Sequence, residues 1–188
     1  MKPSLLRRLA ALLFAVLVLS SCATGTGVPN DDGVYYTAVN IWWYKAKKIY
    51  CTNYHTGERI KVGTQVHVTN LTDKAIDFRT SSGQEFRIIY VARHTRQTMR
   101  ELFQQYFSKT DPLAAGGPFA RFTENERQAI KAGIIVRGMS KPAVLMAYGY
   151  PPSHKTPSLD DNLWIYFNTL YVEHKVLFEN GRTVNALF

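Results

Sequence analysis

The spacing of apolar and polar residues divides the chain into two parts with different periodicities. Between residues 35 and 92, short aromatic and β-branched runs alternate with turn-forming stretches such as Ser81-Ser82-Gly83. Runs of this kind, bounded by small polar residues, are typical of β-strands. The pattern predicts four or five short strands at residues 35–50, 59–69, 75–79 and 84–92.

The periodicity changes to a helical one at residue 98. Apolar residues recur three or four positions apart, and Thr98 and Glu101 have the separation of a capping box. A helix over residues 98–107 is therefore predicted, with an apolar stripe for the core formed by Met99, Leu102, Phe103, Tyr106 and Phe107.

The second part of the chain follows residues 111–118, where two prolines and two adjacent glycines indicate a linker. Thr123 and Glu126 predict a helix start, and Gly133 predicts its end. Strands are predicted at residues 162–168, 171–179 and 182–187, the last two joined by an Asn180-Gly181 hairpin turn. The fold class is therefore α+β.

Residues 138–152, GMSKPAVLMAYGYPP, contain glycines and prolines on both sides of a short apolar run. Ser140 can cap a helix with its side-chain oxygen, and Pro142 is tolerated in a first turn. Gly149 can end the helix in a left-handed conformation before Pro151. A phosphate-binding loop would need Lys and Ser or Thr after its second glycine, so an architectural helix is predicted here.

The amino terminus has the features of a secretory leader. A basic start precedes an apolar stretch at residues 9–19 that is too short to span a bilayer. Leu19-Ser20-Ser21-Cys22 resembles the lipobox of bacterial lipoproteins, which implies cleavage after residue 21 and lipidation of Cys22. An ordinary signal peptide is the alternative. Residues 22–34 are small and polar, as in a flexible tether.

Charge and location limit the partners. The chain has 23 basic and 14 acidic residues, a net charge of +9. Removing the leader with Lys2, Arg7 and Arg8 leaves 20 and 14, a net charge of +6. In a periplasm such a surplus favours lipid headgroups and acidic partners, and nucleic acid is not expected. Ala23 after the cysteine favours the outer membrane over the inner one.

The second part resembles a known lipoprotein domain. Gly138-Met139-Ser140, Gly149-Tyr150-Pro151, Trp164-Ile165-Tyr166 and the Asn180-Gly181 turn occur in the order found in the BamE (SmpA/OmlA) family. The resemblance covers about 65 residues. It implies an αα-βββ two-layer sandwich over residues 119–188, on a non-catalytic outer-membrane lipoprotein that assists β-barrel assembly and contacts partner proteins and anionic phospholipid.

The first part departs from that family. Residues 35–110 stand where family members have a short extended segment, so that segment's partner contacts cannot be transferred. Residues 133–137 are also additional between the two helices. The strand pattern of the first part resembles bacterial SH3-like domains, which implies a small β module with a trailing helix.

Two binding hypotheses follow. The first is a scaffold in envelope or β-barrel assembly, with contacts expected from the loop containing His154, Lys155 and Asp160. Trp164 is either a core residue under the helices, which its strand position favours, or an exposed contact. The second is a glycan or peptide site on the β module that uses the aromatic residues Tyr36, Trp42 and Trp43 and neighbouring lysines.

An enzyme is the least favoured hypothesis. Cys51 has His55 four residues later, but burial of the thiol is the favoured interpretation. Glu173 and His174 are adjacent on a strand and should point to opposite faces. The five histidines have no metal-ligand spacing. No catalytic residue, metal or cofactor is expected.

Overall fold

The computed structural model describes residues 33–169 and 171–187. This part of the chain is a mixed α+β fold, as predicted. Cys22, the leader and most of the tether lie outside it. The helices are α1 (Met99–Tyr106), α2 (Glu124–Ala132) and α3 (Lys141–Tyr148), with a 3₁₀ helix at Pro118–Arg121. The strands are β1 (Val34–Thr37), β2 (Ile41–Trp43), β3 (Lys48–Tyr50), β4 (Glu58–Ile60), β5 (Gln65–Leu71), β6 (Ala75–Thr80), β7 (Glu85–Ile89), β8 (Phe107–Ser108), β9 (Leu163–Phe167), β10 (Glu173–Glu179) and β11 (Arg182–Leu187).

The first part of the chain forms a six-stranded sheet in the order β3-β7-β6-β5-β1-β8. Neighbouring strands are antiparallel except β3 and β7, which are parallel. Successive side chains of a strand point to opposite faces. One face of this sheet carries a hydrophobic core that includes Val66, Ile76, Phe78 and Ile88, each at most 2% exposed.

Two of the predicted strands are divided in the structure. Residues 35–50 form three strands, because the chain bends after β1 and reverses at Lys45, Ala46 and Lys47, which have φ values of 35°, 52° and 53°. Residues 59–69 form β4 and β5, which are separated at Gly63 with a φ of 77°. The prediction of one strand over residues 35–50 was wrong because residues 45–47 include none of the usual turn-forming residues. The prediction of one strand over residues 59–69 was wrong because Gly63, a turn-forming residue, interrupts it.

Helix α1 begins as predicted. The Thr98 hydroxyl accepts a hydrogen bond from the Glu101 amide at 3.2 Å, and the Glu101 carboxylate accepts one from the Thr98 amide at 2.7 Å. This reciprocal capping satisfies two backbone donors that would otherwise lack partners. The apolar stripe is buried in the first core, where the rings of Phe103 and Tyr35 meet edge to face at 5.0 Å.

The second part places α2 and α3 against a three-stranded antiparallel sheet in the order β11-β10-β9. Trp164, Tyr166, Val176 and Phe178 point towards the helices and are at most 1% exposed. Leu163 lies on the other face, which confirms the predicted alternation along β9. Trp164 is therefore a core residue. Its alternative assignment as an exposed contact is corrected, because no surface of this side chain remains accessible.

The start of α3 differs from the prediction in one respect. Helix α2 has the predicted Thr123–Glu126 capping box and the left-handed Gly133 at its end. Ser140 precedes α3, but its hydroxyl makes no capping bond to the helix. The Glu126 carboxylate instead accepts a hydrogen bond from the Ser140 amide at 2.8 Å. Glu126 thus connects the start of α2 to the start of α3.

The remaining residues of the predicted motifs lie at turns or in the core. Gly138 is at a turn and has a φ of 85°, while Met139 and Pro151 are buried. Asn180 and Gly181 both have positive φ, 51° and 73°, which is typical of a type I′ turn and confirms the predicted hairpin.

Gly149 ends α3 with a φ of 74° and a ψ of −174°, so it has a positive φ, but its ψ lies outside the left-handed helical region that was predicted. A Cβ atom here would lie 2.5 Å from the Asn53 side-chain nitrogen. The requirement for glycine thus comes from close approach as well as from backbone conformation.

Candidate functional site

The two parts of the chain are joined by the buried side chain of Asn40. Its amide nitrogen donates to the carbonyl oxygens of Ile130 and Ala147, both at 2.8 Å, and its oxygen accepts from the Val62 amide at 2.9 Å. Asn40 is 1% exposed. Since buried amides are costly unless they are hydrogen-bonded, this residue favours one relative position of the β2–β4 pair and the two helices.

A second joint lies where residues 53–55 meet the end of α3. The Asn53 amide donates to the carbonyl oxygen of Tyr148 at 3.0 Å. The His55 ring stacks on the Tyr148 ring at 3.6 Å, and its Nε2 lies 2.6 Å from the same carbonyl oxygen. Burial lowers the pKa of His55 to about 3, so the imidazole is neutral near pH 7. A carbonyl oxygen only accepts, so the shorter contact assigns the proton of the neutral ring to Nε2 over Nδ1, which lies 3.3 Å from the Phe167 carbonyl oxygen.

A cleft of about 620 Å³ opens beside these joints. This volume falls within the range of small-molecule sites, which often lie where two structural units meet. Among the described residues, the charged or titratable cleft side chains apart from tyrosines are Lys48 and His94, and no carboxylate lines it. The aromatic members of this first cleft are Trp42, Trp43, Tyr44, Tyr50, Tyr54 and His94.

The reversal at residues 45–47 connects two residues that line the first cleft, Tyr44 and Lys48. Three consecutive non-glycine residues there have positive φ, and Tyr44 and Lys48 pair as an isolated antiparallel bridge. Such conformations cost about 1–3 kcal/mol each and persist where the surrounding structure supports them. Trp43, Tyr44 and Tyr50 line the same cleft on either side of the reversal, and Tyr44 and Tyr50 are 53% and 45% exposed.

A second cleft of about 400 Å³ adjoins the first and shares Tyr54 and His94 with it. Its remaining lining comes mostly from the second part of the chain. Tyr54 pairs with Phe167 in a parallel bridge, so the two clefts meet where the two parts of the chain join. The other residues of the second cleft are His154, Lys155, Phe167, Tyr171 and Glu173.

A row of five rings connects the two clefts. Neighbouring ring centroids are 6.3 Å apart from Tyr50 to Tyr54, 6.2 Å from Tyr54 to Phe167, and 5.9 Å from Phe167 to His154. The His154 and His94 centroids are 4.3 Å apart. We call this row the ring ladder. It is continuous across the junction, and Tyr54 and His94 line both clefts. Phe167, the middle ring of the row, is 8% exposed.

The predicted contact residues lie in three places. Trp42 and Trp43 line the first cleft, while His154 and Lys155 line the second. Tyr36 is half-buried on β1 and lines neither cleft. Asp160 is exposed, and its carbonyl oxygen accepts a hydrogen bond from the Lys141 ammonium at 2.8 Å. Asp160 lines neither cleft either.

The residues that complete the site were not singled out from the sequence. Tyr50 and Tyr54 flank a turn four residues apart, which is a local signal that could have identified them. Phe167 has no such signal, because its position depends on the bridge to Tyr54. His94 lies in the turn after β7 and reaches His154 only through tertiary packing.

The residues considered for catalysis have separate partners. Cys51 is buried, as the favoured interpretation predicted, and its sulfur lies 2.9 Å from the Thr95 hydroxyl. Burial raises the pKa of the Cys51 thiol. His55 contacts backbone carbonyls instead. Glu173 and His174 point to opposite faces as predicted, with His174 fully buried against the Tyr148 hydroxyl.

Residues 33–169 and 171–187 contain neither a metal-binding cluster nor a membrane-spanning helix. No group of three or more His, Cys, Asp or Glu side chains there is arranged to hold a metal ion. No helix in this range is both long and apolar enough to cross a membrane. The chain matches no protein-family model, no curated protein and no solved structure.

Proposed function

We propose that this chain is a lipid-anchored envelope protein that binds a glycan strand in the two clefts. The observation that carries the proposal is the ring ladder, whose members line the two adjoining clefts at the junction of the two parts. The apolar C–H face of a sugar ring packs against an aromatic ring, and successive sugars need successive rings. Aromatic side chains also supply large contact areas at a low cost in conformational entropy.

The polar groups of the first cleft suit sugar hydroxyls. Tyrosine and threonine hydroxyls both donate and accept hydrogen bonds, and Lys48 and His94 add further polar groups. An apolar lining with a few polar groups that fix orientation is the usual composition of a ligand site. Their presence beside exposed rings favours a polyhydroxylated ligand over a purely apolar one.

A peptide ligand has less support from the structure. Peptides that add a strand to a sheet need a free strand edge. The outer edge of β3 is covered at Lys48 by its bridge to Tyr44. Proline-rich peptides also bind aromatic grooves. A basic proline-rich peptide would need acidic side chains as partners, and no Asp or Glu is present among the described residues of the first cleft.

The anchor and the finer architecture belong to the same proposal. Acylation of Cys22 would hold the site near a membrane surface, since two or more acyl chains give stable anchoring. We assign the six-stranded part to an SH3-like β module and the αα-βββ part to a BamE-like domain, on the outer membrane facing the periplasm. Replacing Cys22 with serine is expected to move the protein from the membrane fraction to the soluble fraction.

The binding proposal is tested by calorimetric titration with an N-acetylglucosamine tetramer and a proline-rich decapeptide. The protein is expected to bind the sugar and not the peptide. Tyr50→Ala is expected to weaken sugar binding about twofold to twelvefold, because one ring contact contributes about 0.5–1.5 kcal/mol. Tyr36→Ala, which removes a ring outside both clefts, is the matched control. Peptide binding without sugar binding would overturn the proposal.

A second candidate function is the accessory role in β-barrel assembly. It is favoured by an apolar pair on the outer face of the three-stranded sheet, where Leu163 and Leu177 oppose each other and are each 42% exposed. Val172, 48% exposed, precedes β10. Apolar side chains grouped on a surface can serve protein contacts.

Affinity purification from detergent-solubilised envelopes tests the assembly role. Copurification of β-barrel assembly components is expected to be lost in Leu177→Asp and kept in Ile134→Asp. Ile134 is a similarly exposed apolar residue in the link after α2. Failure to recover any assembly component with the unmodified protein would contradict this role.

A further inference from the structure

The second cleft combines cationic groups with the end of the ring ladder. His94, His154 and Lys155 line it, together with a single carboxylate from Glu173 among the described lining residues. Glu173 is shared by two lysines, with its oxygens 2.8 Å from the Lys155 ammonium and 3.9 Å from the Lys175 ammonium. The cleft therefore has more positive than negative charge nearby, even before either histidine is protonated.

We propose that the second cleft is a carboxylate-binding subsite, so that the glycan bound along the ring ladder is an acidic one. The inference rests on the proposed function, because it specifies the charge of the ligand in the same site. Lys155 would donate to the ligand carboxylate while remaining beside Glu173. An ammonium has three donors, so it can serve two carboxylates at once.

His154, which lines the same cleft, supplies the second donor of the proposed subsite. Its Nδ1 lies 3.0 Å from the His94 carbonyl oxygen and donates to it, which leaves Nε2 as the nitrogen that gains or loses a proton. Its ring is parallel to that of Phe167, with an interplanar angle of 3°. Protonation at Nε2 therefore creates a donor on an imidazole whose orientation is already determined.

The surroundings of His154 make carboxylate binding dependent on pH. Burial lowers the pKa of His154, and the nearby charges of His94, Lys155 and Arg96 lower it further, although its hydrogen bond to the His94 carbonyl acts in the opposite direction. Glu173 is the acidic group facing it from β10, with Lys175 behind. A ligand carboxylate adds negative charge and would raise this pKa.

Proton uptake by His154 would then accompany binding of the acidic ligand. The pKa of His154 should be higher in the complex than in the free protein. The affinity for the acidic ligand should increase as the pH falls through the range between these two pKa values. In that window one coupled proton changes affinity by at most about tenfold per pH unit. Binding of an uncharged ligand does not involve this proton.

Two tetrasaccharides provide the test. One is the neutral N-acetylglucosamine tetramer, and the other alternates N-acetylglucosamine with N-acetylmuramic acid, so the second differs by its lactyl carboxylates. Calorimetric titrations of the full chain at pH 7.5, 6.5 and 5.5 are expected to show tighter binding of the acidic sugar, with the difference increasing towards pH 5.5. The neutral sugar is expected to bind with the same affinity at all three values.

Three substitutions are expected to affect acidic-sugar binding in different ways. His154→Gln should remove the pH dependence, and Lys155→Gln should weaken binding by up to about fivefold. Glu173→Gln should strengthen it, because Lys155 loses its competing partner. Lys74→Gln, which removes an exposed lysine lining neither cleft, controls for net charge. A loss of folding would not strengthen binding in one variant and weaken it in another.

The outcomes separate the inference from the proposed function. If the two sugars bind equally at every pH and the His154 and Lys155 variants have no effect, the carboxylate subsite is refuted while glycan binding stands. If neither sugar binds, the proposed function itself fails. If Glu173→Gln weakens acidic-sugar binding as much as Lys155→Gln does, the ion pair has a structural role and the subsite is also refuted.

Discussion

Asn40 provides the sharpest test of how the two parts of the chain are held together. Asn40→Ala removes three side-chain hydrogen bonds, to Ile130, Ala147 and Val62. The carbonyl of Ile130 keeps a hydrogen bond from the Gly133 amide at 3.2 Å. The Val62 amide and the Ala147 carbonyl lose their bonds to the Asn40 side chain. Each lost hydrogen bond contributes about 0.5–1.5 kcal/mol, and the unpaired buried amide adds part of its desolvation cost. We therefore expect Asn40→Ala to lower the free energy of unfolding by about 3–5 kcal/mol.

That loss should be visible in thermal unfolding followed by calorimetry. For a chain of this size, 3–5 kcal/mol corresponds to a decrease in Tm of about 6–20 °C. Asn40→Asp should be at least as destabilising, since a carboxylate would face two carbonyl oxygens without a proton to donate.

Asn70→Ala is the matched control for this experiment. The Asn70 side chain is exposed and donates to the Asp77 carboxylate at 3.1 Å, so its loss should change stability by less than about 0.5 kcal/mol. A Tm for Asn40→Ala within about 2 °C of the unmodified protein would refute the role assigned to this joint.

Two further predictions concern the joint beneath the clefts. Burial holds the folded-state pKa of His55 near 3, below its value of about 6.5 in the unfolded chain. The contribution of the neutral His55 ring to folding stability is therefore fully present above pH 6.5. The free energy of unfolding, measured with urea, should decrease by up to about 1.4 kcal/mol per pH unit as the pH falls from 6.5 towards 3. His55→Gln should reduce this pH dependence. Gly149→Ala should destabilise by more than about 2 kcal/mol, since its Cβ would approach the Asn53 amide to 2.5 Å. Gly83→Ala has a similar φ of 81° with nothing within 4 Å, so a loss as large in that control would contradict the steric argument.

Elements with a local signal were predictable from the sequence. The two capping boxes depend on residues three positions apart, Thr98 with Glu101 and Thr123 with Glu126, and both are present. The Asn180-Gly181 turn and the burial of Trp164 and Tyr166 on alternate positions of β9 follow from short-range rules as well.

Features that depend on tertiary contacts were not predictable. Ser140 satisfies the pattern of a helix cap, but its amide pairs with Glu126 from the preceding helix. Nothing near Asn40 in the sequence indicates that it bonds to Ile130, 90 residues away. The ring ladder likewise requires Tyr54 to pair with Phe167, a contact between residues more than 100 positions apart. The aromatic richness of residues 35–50 suggested a binding surface, whereas its location depended on how the two parts pack.

Tryptophan fluorescence during titration with the N-acetylglucosamine tetramer tests glycan binding in the clefts most directly. Two of the three tryptophans, Trp42 and Trp43, line the first cleft, and Trp164 is fully buried between the three-stranded sheet and helices α2 and α3. The account predicts a saturable change in emission that disappears in the Trp42→Phe/Trp43→Phe protein. No saturable change in the unmodified protein, or an equal change in the double variant, would contradict it.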